Sequence, residues 1–143
     1  MILKLTTMKK LAIMITISAF VIAVSCKKES QSDRLTLLTT PVWKSDSLLV
    51  NGADASGTGG MLELFKGDAK FNEDGTGYFG SYTGTWRFAS NETQIVITSP
   101  ALPITLTTLI AELTSTSLKV TTSYPNLVNP LEPIKIRMTF KVK

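Results

Sequence analysis

The sequence predicts an all-β domain, an antiparallel meander of about seven to nine short strands closed as a sandwich or barrel. From Ile134 to Lys143 apolar and polar residues alternate without a break, the period of two that sets one strand face in a dry core and the other in water. Shorter alternating or β-branched runs recur through the chain, and clusters of glycine, asparagine, aspartate and serine separate them.

At the N-terminus the pattern is different. Lys9 and Lys10 precede an apolar stretch of 14 residues, Leu11 to Val24, and small residues then lead to Cys26, the one cysteine of the chain. A charged start, an apolar run and a small-residue junction in that order read as an export signal spanning residues 1–25. The run is shorter than the roughly 20 residues a bilayer-crossing helix needs. Met8-Lys9-Lys10 is the more ordinary beginning of such a segment, which leaves Met1 and Met8 as alternative starts. The junction Ala23-Val24-Ser25-Cys26 resembles the lipobox of bacterial lipoproteins. That resemblance implies acylation of Cys26, cleavage on its N-terminal side, and a membrane anchor of two or more chains, each buried methylene contributing about 0.8 kcal/mol.

Removing 25 of 143 residues leaves 118, the size of one domain. Of the 15 basic residues, Lys4, Lys9 and Lys10 lie in the signal, so the mature part carries 12 against 11 acids. The basic character belongs largely to the discarded segment, and no nucleic-acid partner is expected. Residues 26–40 are read as lipidated N-terminus and tether: polar Lys27 to Gln31, then Ser32 to Thr39 as one turn of helix or irregular chain. The domain proper spans 41–143.

Its first strand is placed from Val42 to Val50. Asn51 to Gly60, rich in glycine and small polar residues, reads as a flexible connector, and Met61 to Phe65 is ambiguous between strand and short helix. Ala69 to Asn72 and Thr76 to Phe79 flank Glu73-Asp74-Gly75, where glycine can take the positive φ of a tight turn. Thr85 to Phe88 sets Trp86 and Phe88 on one face. Ser90-Asn91-Glu92 then turns the chain into Gln94 to Thr98, with its β-branched run Ile95-Val96-Ile97. Leu109, Ala111 and Leu113 alternate, Thr114 to Thr116 offer a turn, and Leu118 and Val120 alternate again, a hairpin pattern. The threonines between 105 and 122 fall on the outer face.

Leu38 to Trp43, Phe71-Asn72-Glu73-Asp74-Gly75-Thr76-Gly77, Gly84-Thr85-Trp86, Ile95-Val96-Ile97 and Leu113-Thr114 with Leu118 and Val120 together resemble the lipocalin-like domain of small Gram-negative envelope lipoproteins. The resemblance implies an antiparallel up-and-down lipocalin-like barrel or half-barrel, a tryptophan near its start, here Trp43, and an apolar ligand in the barrel mouth. The chain departs from the family in being short and in carrying its Gly-x-Trp centrally.

There is no histidine in the sequence. That removes Ser-His-Asp and Cys-His nucleophile systems and the commonest metal ligand, and neither a metal nor another cofactor is expected. Asp46, Glu63, Asp68, Glu73, Asp74, Glu92 and Glu112 remain as carboxylates, several of them in turns, where solvated or capping roles are the ordinary expectation. The scarcity of general acid and base groups argues against an enzyme.

Aromatic residues concentrate in the first half, and their plainer reading is barrel core. The sharper reading makes Trp43, Tyr78, Tyr82, Trp86 and Phe88 candidate ligand-lining residues; Tyr78, Tyr82 and Trp86 share sequence parity. Two functions are weighed. A lipid-anchored barrel binding a small apolar or amphiphilic molecule requires a dry cavity lined by Trp86, Tyr78 and Phe88. A non-catalytic structural or interaction lipoprotein, an accessory subunit or inhibitor, requires a filled barrel and an exposed apolar or edge-strand patch facing another envelope protein. Either way the expected location is the cell envelope, on an outer-membrane lipid anchor facing periplasm or surface.

Overall fold

The computed structural model describes residues 30–143. The signal segment, Cys26 and residues 27–29 of the expected tether lie outside the described residues.

A helix, α1 (Ser30–Thr39), leads into nine strands: β1 (Trp43–Val50), β2 (Ala53–Asp54), β3 (Asp68–Phe71), β4 (Thr76–Phe79), β5 (Tyr82–Ala89), β6 (Gln94–Thr98), β7 (Leu106–Leu113), β8 (Ser117–Tyr124) and β9 (Ile134–Val142). Every pairing is antiparallel. The order β1-β3-β4-β5-β6-β7-β8-β9 closes through a β1–β9 pairing into an eight-stranded up-and-down barrel, with β2 an extra strand on β1. Closure removes the free edges that a sheet of this length would otherwise expose.

Local chemistry accounts for most of the turns. After β3 the chain reverses at Glu73-Asp74-Gly75: Gly75 takes φ 84°, and the Asp74 carboxylate accepts hydrogen bonds from the Thr76 amide at 2.9 Å and the Thr76 hydroxyl at 2.6 Å. The β5–β6 turn carries Ser90, Asn91 and Glu92 at φ 51°, 55° and 63°, a left-handed run that costs side-chain-bearing residues free energy. Arg34 of α1 steadies it, its Nε donating to the Glu92 carbonyl at 3.1 Å. Glu63–Phe65 forms a short 3-10 turn, resolving the ambiguous Met61 to Phe65 segment as helical.

Tether and single turn give way to ten helical residues beginning at Ser30. The reason is tertiary. Leu38 is fully buried beneath the barrel, and the Trp43 indole N–H donates to its carbonyl at 3.0 Å. Lys70 of β3 brings its ammonium to the Thr39, Thr40 and Pro41 carbonyls, where a cation satisfies the open acceptors of a helix C-terminus. The helix therefore plugs one end of the barrel.

Inward positions of the strands form one contiguous core that includes Trp43, Leu48, Phe71, Phe79, Trp86, Ile95, Ile97, Leu118, Val120, Met138 and Phe140. The predicted alternation of β9 holds for Ile136, Met138 and Phe140, while Val142, past the last core layer, remains 40% exposed.

Candidate functional site

The five aromatic residues singled out as ligand-lining are not brought to one place. Trp43 is wholly buried at the helix end. Trp86 sits inside the barrel with its indole N–H on the Asn72 carbonyl at 2.9 Å. Phe88 meets it edge-on at 5.3 Å, and Phe71 does the same from the other side at 5.4 Å. Phe79 completes the cluster against Phe71 at 5.1 Å. The void beside these rings is about 20 Å³, room for one water at most. Among the described residues the rings of Phe71, Phe79, Trp86 and Phe88 pack on one another, and neither Trp86 nor Phe88 lines the void, the mouth or the groove on the wall.

Tyr78 points outward from β4 and is 37% exposed. The shared parity of Tyr78 and Tyr82 misleads because the turn at Gly80 and Ser81 pairs Phe79 with Tyr82. Residues directly opposite in an antiparallel pair face the same side, so odd positions point inward on β4 and even positions on β5.

Tyr82 is the one of the five that lines a substantial cavity. At the end opposite α1, an apolar pocket of about 210 Å³ opens between the 3-10 turn and the β6–β7 loop, walled by Leu62, Phe65, Tyr82, Leu102, Leu106 and Tyr124. Phe65 and Tyr82 stack with ring centroids 4.7 Å apart. Among the described residues neither the Tyr82 nor the Tyr124 hydroxyl has a protein partner, and both reach solvent. The mouth therefore offers an oily floor with two free phenolic groups at its rim. It is assembled from segments far apart in sequence, which is why only Tyr82 could be read as part of it beforehand.

The apolar character continues onto the surrounding loops. Met61, Leu64 and Ile104 are each about half exposed, and on the β8–β9 loop (125–133) Leu127, Val128 and Leu131 are 92%, 95% and 92% exposed. That loop has a defined shape: the Asn126 carboxamide oxygen accepts from the Val128 and Asn129 amides at 3.0 and 3.1 Å, and that of Asn129 accepts from Leu131 at 3.3 Å.

No carboxylate lines the mouth. Asp46 pairs with Lys141, Asp68 with Lys143 and Glu112 with Lys119. Glu63 accepts from the Gly59 amide at 2.7 Å. The Thr76 hydroxyl holds the Asp74 carboxyl below its ordinary pKa, and the Ser117 side chain, followed by Lys119, does the same for Glu112. A general acid at neutral pH needs the opposite shift. Asp68 raises the Lys143 ammonium. Among the described residues no group of three His, Cys, Asp or Glu side chains could hold a metal ion, and no helix is long and apolar enough to cross a membrane.

Fold and site together define a small closed β-barrel, packed below and open to apolar groups above. No family model and no curated protein matches the chain by sequence.

Proposed function

We propose that the chain is an envelope lipoprotein, anchored through acyl chains on Cys26, whose barrel mouth holds the apolar part of a small amphiphile. The mouth pocket carries this reading: an apolar floor that excludes water, bordered by two tyrosine hydroxyls free to bind a polar group. The seat, about 210 Å³, lies at Tyr82 and not along Trp86, Tyr78 and Phe88, so the ligand is one that inserts a short apolar segment.

Anchor and mouth are compatible. Four residue steps separate Cys26 from Ser30, a reach of at most about 14 Å. The helix end then faces the bilayer and the mouth opens away from it, accessible to a soluble ligand.

Two measurements test the reading. Intact mass of the full chain from its own membranes is expected to begin at an acylated Cys26; a free thiol with residues 1–25 attached overturns the anchor. Native mass spectrometry of the same preparation is expected to show a bound small molecule, lost in Leu102→Trp, which fills the mouth. A bare protein that also fails to take up the apolar dye N-phenyl-1-naphthylamine overturns the ligand.

A second reading, an interaction lipoprotein, draws support from the packed interior and from Leu127, Val128 and Leu131, held outward on a shaped loop. It is separated from the first by Leu127→Ser with Leu131→Ser. Those changes abolish partner binding under the second reading and leave dye uptake intact under the first.

A further inference from the structure

The outer wall of the barrel carries a second, larger cavity that the mouth does not account for. It is a groove of about 560 Å³ along β6 to β9 and the end of β1, lined mostly by outward-facing residues and reaching in to Thr122 and Ile136 where β7 and β8 separate, within the range of small-molecule sites. Its floor is one cross-strand row: Gln94 pairs with Leu109, Leu109 with Thr121, Thr121 with Arg137, and Arg137 with Leu49. The wall is concave here because β7 and β8 part company above that row. Backbone pairing between them reaches no further than Leu109 and Thr121, and beyond it the Thr107 carbonyl accepts the Thr122 hydroxyl instead, at 2.7 Å.

Pairing divides the cations of β9 and its end into two sets. Along β9 and its end, Lys141 and Lys143 are matched by Asp46 and Asp68. Lys135 and Arg137, which line the groove, have no side-chain hydrogen bond or ion pair among the described residues. No acidic residue lines the groove. The backbone beneath Lys135 is clamped: its amide donates to the Asn51 side chain at 2.9 Å and its carbonyl accepts the Asn51 amide at 2.8 Å. Two cations projecting from a fixed strand, with the Thr121 and Ser123 hydroxyls opposite them on β8, form a preorganised anion seat.

We infer that this groove binds an acidic saccharide, a short glycan bearing carboxylate or phosphate. The Arg137 guanidinium forks onto the anionic group and Lys135 adds a second charge. Thr121, Thr107 and Gln94 exchange hydrogen bonds with sugar hydroxyls, and Leu49 and Leu109 lie under the C–H face of the ring. The lining holds no aromatic side chain on which a flat base could stack, which favours a sugar over a nucleotide. This site shares one lining residue, Ile136, with the mouth, and its charged groups lie outside the mouth.

The test is calorimetric titration of the full chain in detergent with three probes: trigalacturonate, a bisphosphorylated glucosamine disaccharide of the kind found in lipid headgroups, and neutral galactotriose. Binding of either acidic probe, weakening as salt rises, with none by the neutral sugar, is the expected result; the probe that binds identifies the source. Arg137→Gln and Lys135→Gln each weaken that binding about tenfold. Lys141→Gln, whose cation is already committed to Asp46, changes it by less than about twofold. All three replacements lie on exposed strand faces, and unchanged melting temperatures confirm the folds. Failure of both acidic probes, equal binding of the neutral one, or an equal loss in Lys141→Gln overturns the proposal.

Discussion

Gly77 and Gly84 stand directly opposite each other on β4 and β5, and a methyl group added to either would enter a backbone carbonyl of the next strand out, Lys70 for Gly77 and Thr98 for Gly84. This glycine pair lets four strands close tightly around the aromatic cluster, with Phe79 lying in the space a Gly77 side chain would take.

Gly84→Ala is therefore expected to cost about 1–3 kcal/mol, as overpacking a close-packed interior does. Gly57, with nothing within 4 Å and an ordinary φ, is the control, and Gly57→Ala should stay within about 0.5 kcal/mol. Chemical denaturation of the two variants compares them; equal midpoints would contradict the close approach.

Trp86 and Tyr82 separate core from mouth. Trp86→Phe removes the indole bond to the Asn72 carbonyl, which keeps the Gly75 amide as a donor, and is expected to cost about 0.5–1.5 kcal/mol, while dye affinity at the mouth changes less than about twofold. Tyr82→Ala should reverse that order, weakening dye uptake several-fold beyond its effect on stability. Parallel melting and fluorescence titrations read both quantities.

Glu92 sits at φ 63° in a run of three left-handed residues. Glu92→Gly relieves a conformation that costs an L-residue about 1 kcal/mol, while its backbone carbonyl still accepts Arg34. The melting temperature is expected to rise by a few degrees; a fall would show that the turn is not strained.

The pH dependence follows from groups with shifted equilibria. Asp74 and Glu112 are depressed, so the stability they contribute is present above their ordinary range and is lost as pH falls through their lower folded-state values, below about 4. Lys143 is raised, so its contribution is complete below its ordinary value and is lost only as alkaline pH passes the higher folded one. With no histidine in the chain, unfolding free energy should be flat from about pH 5 to 9. Asp74→Asn should reduce the acid loss. A midpoint between pH 6 and 7 would contradict this account.

Strand content was legible because it is written in short-range patterns. Thr76–Phe79 and Gln94–Thr98 have the bounds that their β-branching and flanking turns predict, and Ile134–Val142 ends one residue before the predicted Lys143. The Asp74-Gly75 reversal was equally plain, since a carboxylate two residues before an amide and a glycine at positive φ are local requirements. An all-β barrel follows from such runs. A chain with no histidine also declares from composition which catalytic systems it lacks.

What tertiary structure alone decided is where the side chains meet. Residues 30–39 become a docked helix only because Trp43 and Lys70 supply partners for its last carbonyls. Tyr78 and Tyr82 separate because a two-residue turn resets which parity faces inward. The mouth is built from segments around residues 62, 82, 102 and 124, and the outer groove from five strands in register. Periodicity is a property of neighbours a few residues apart, whereas a cavity depends on closure, and the β1–β9 pairing that closes this barrel joins its first and last strands.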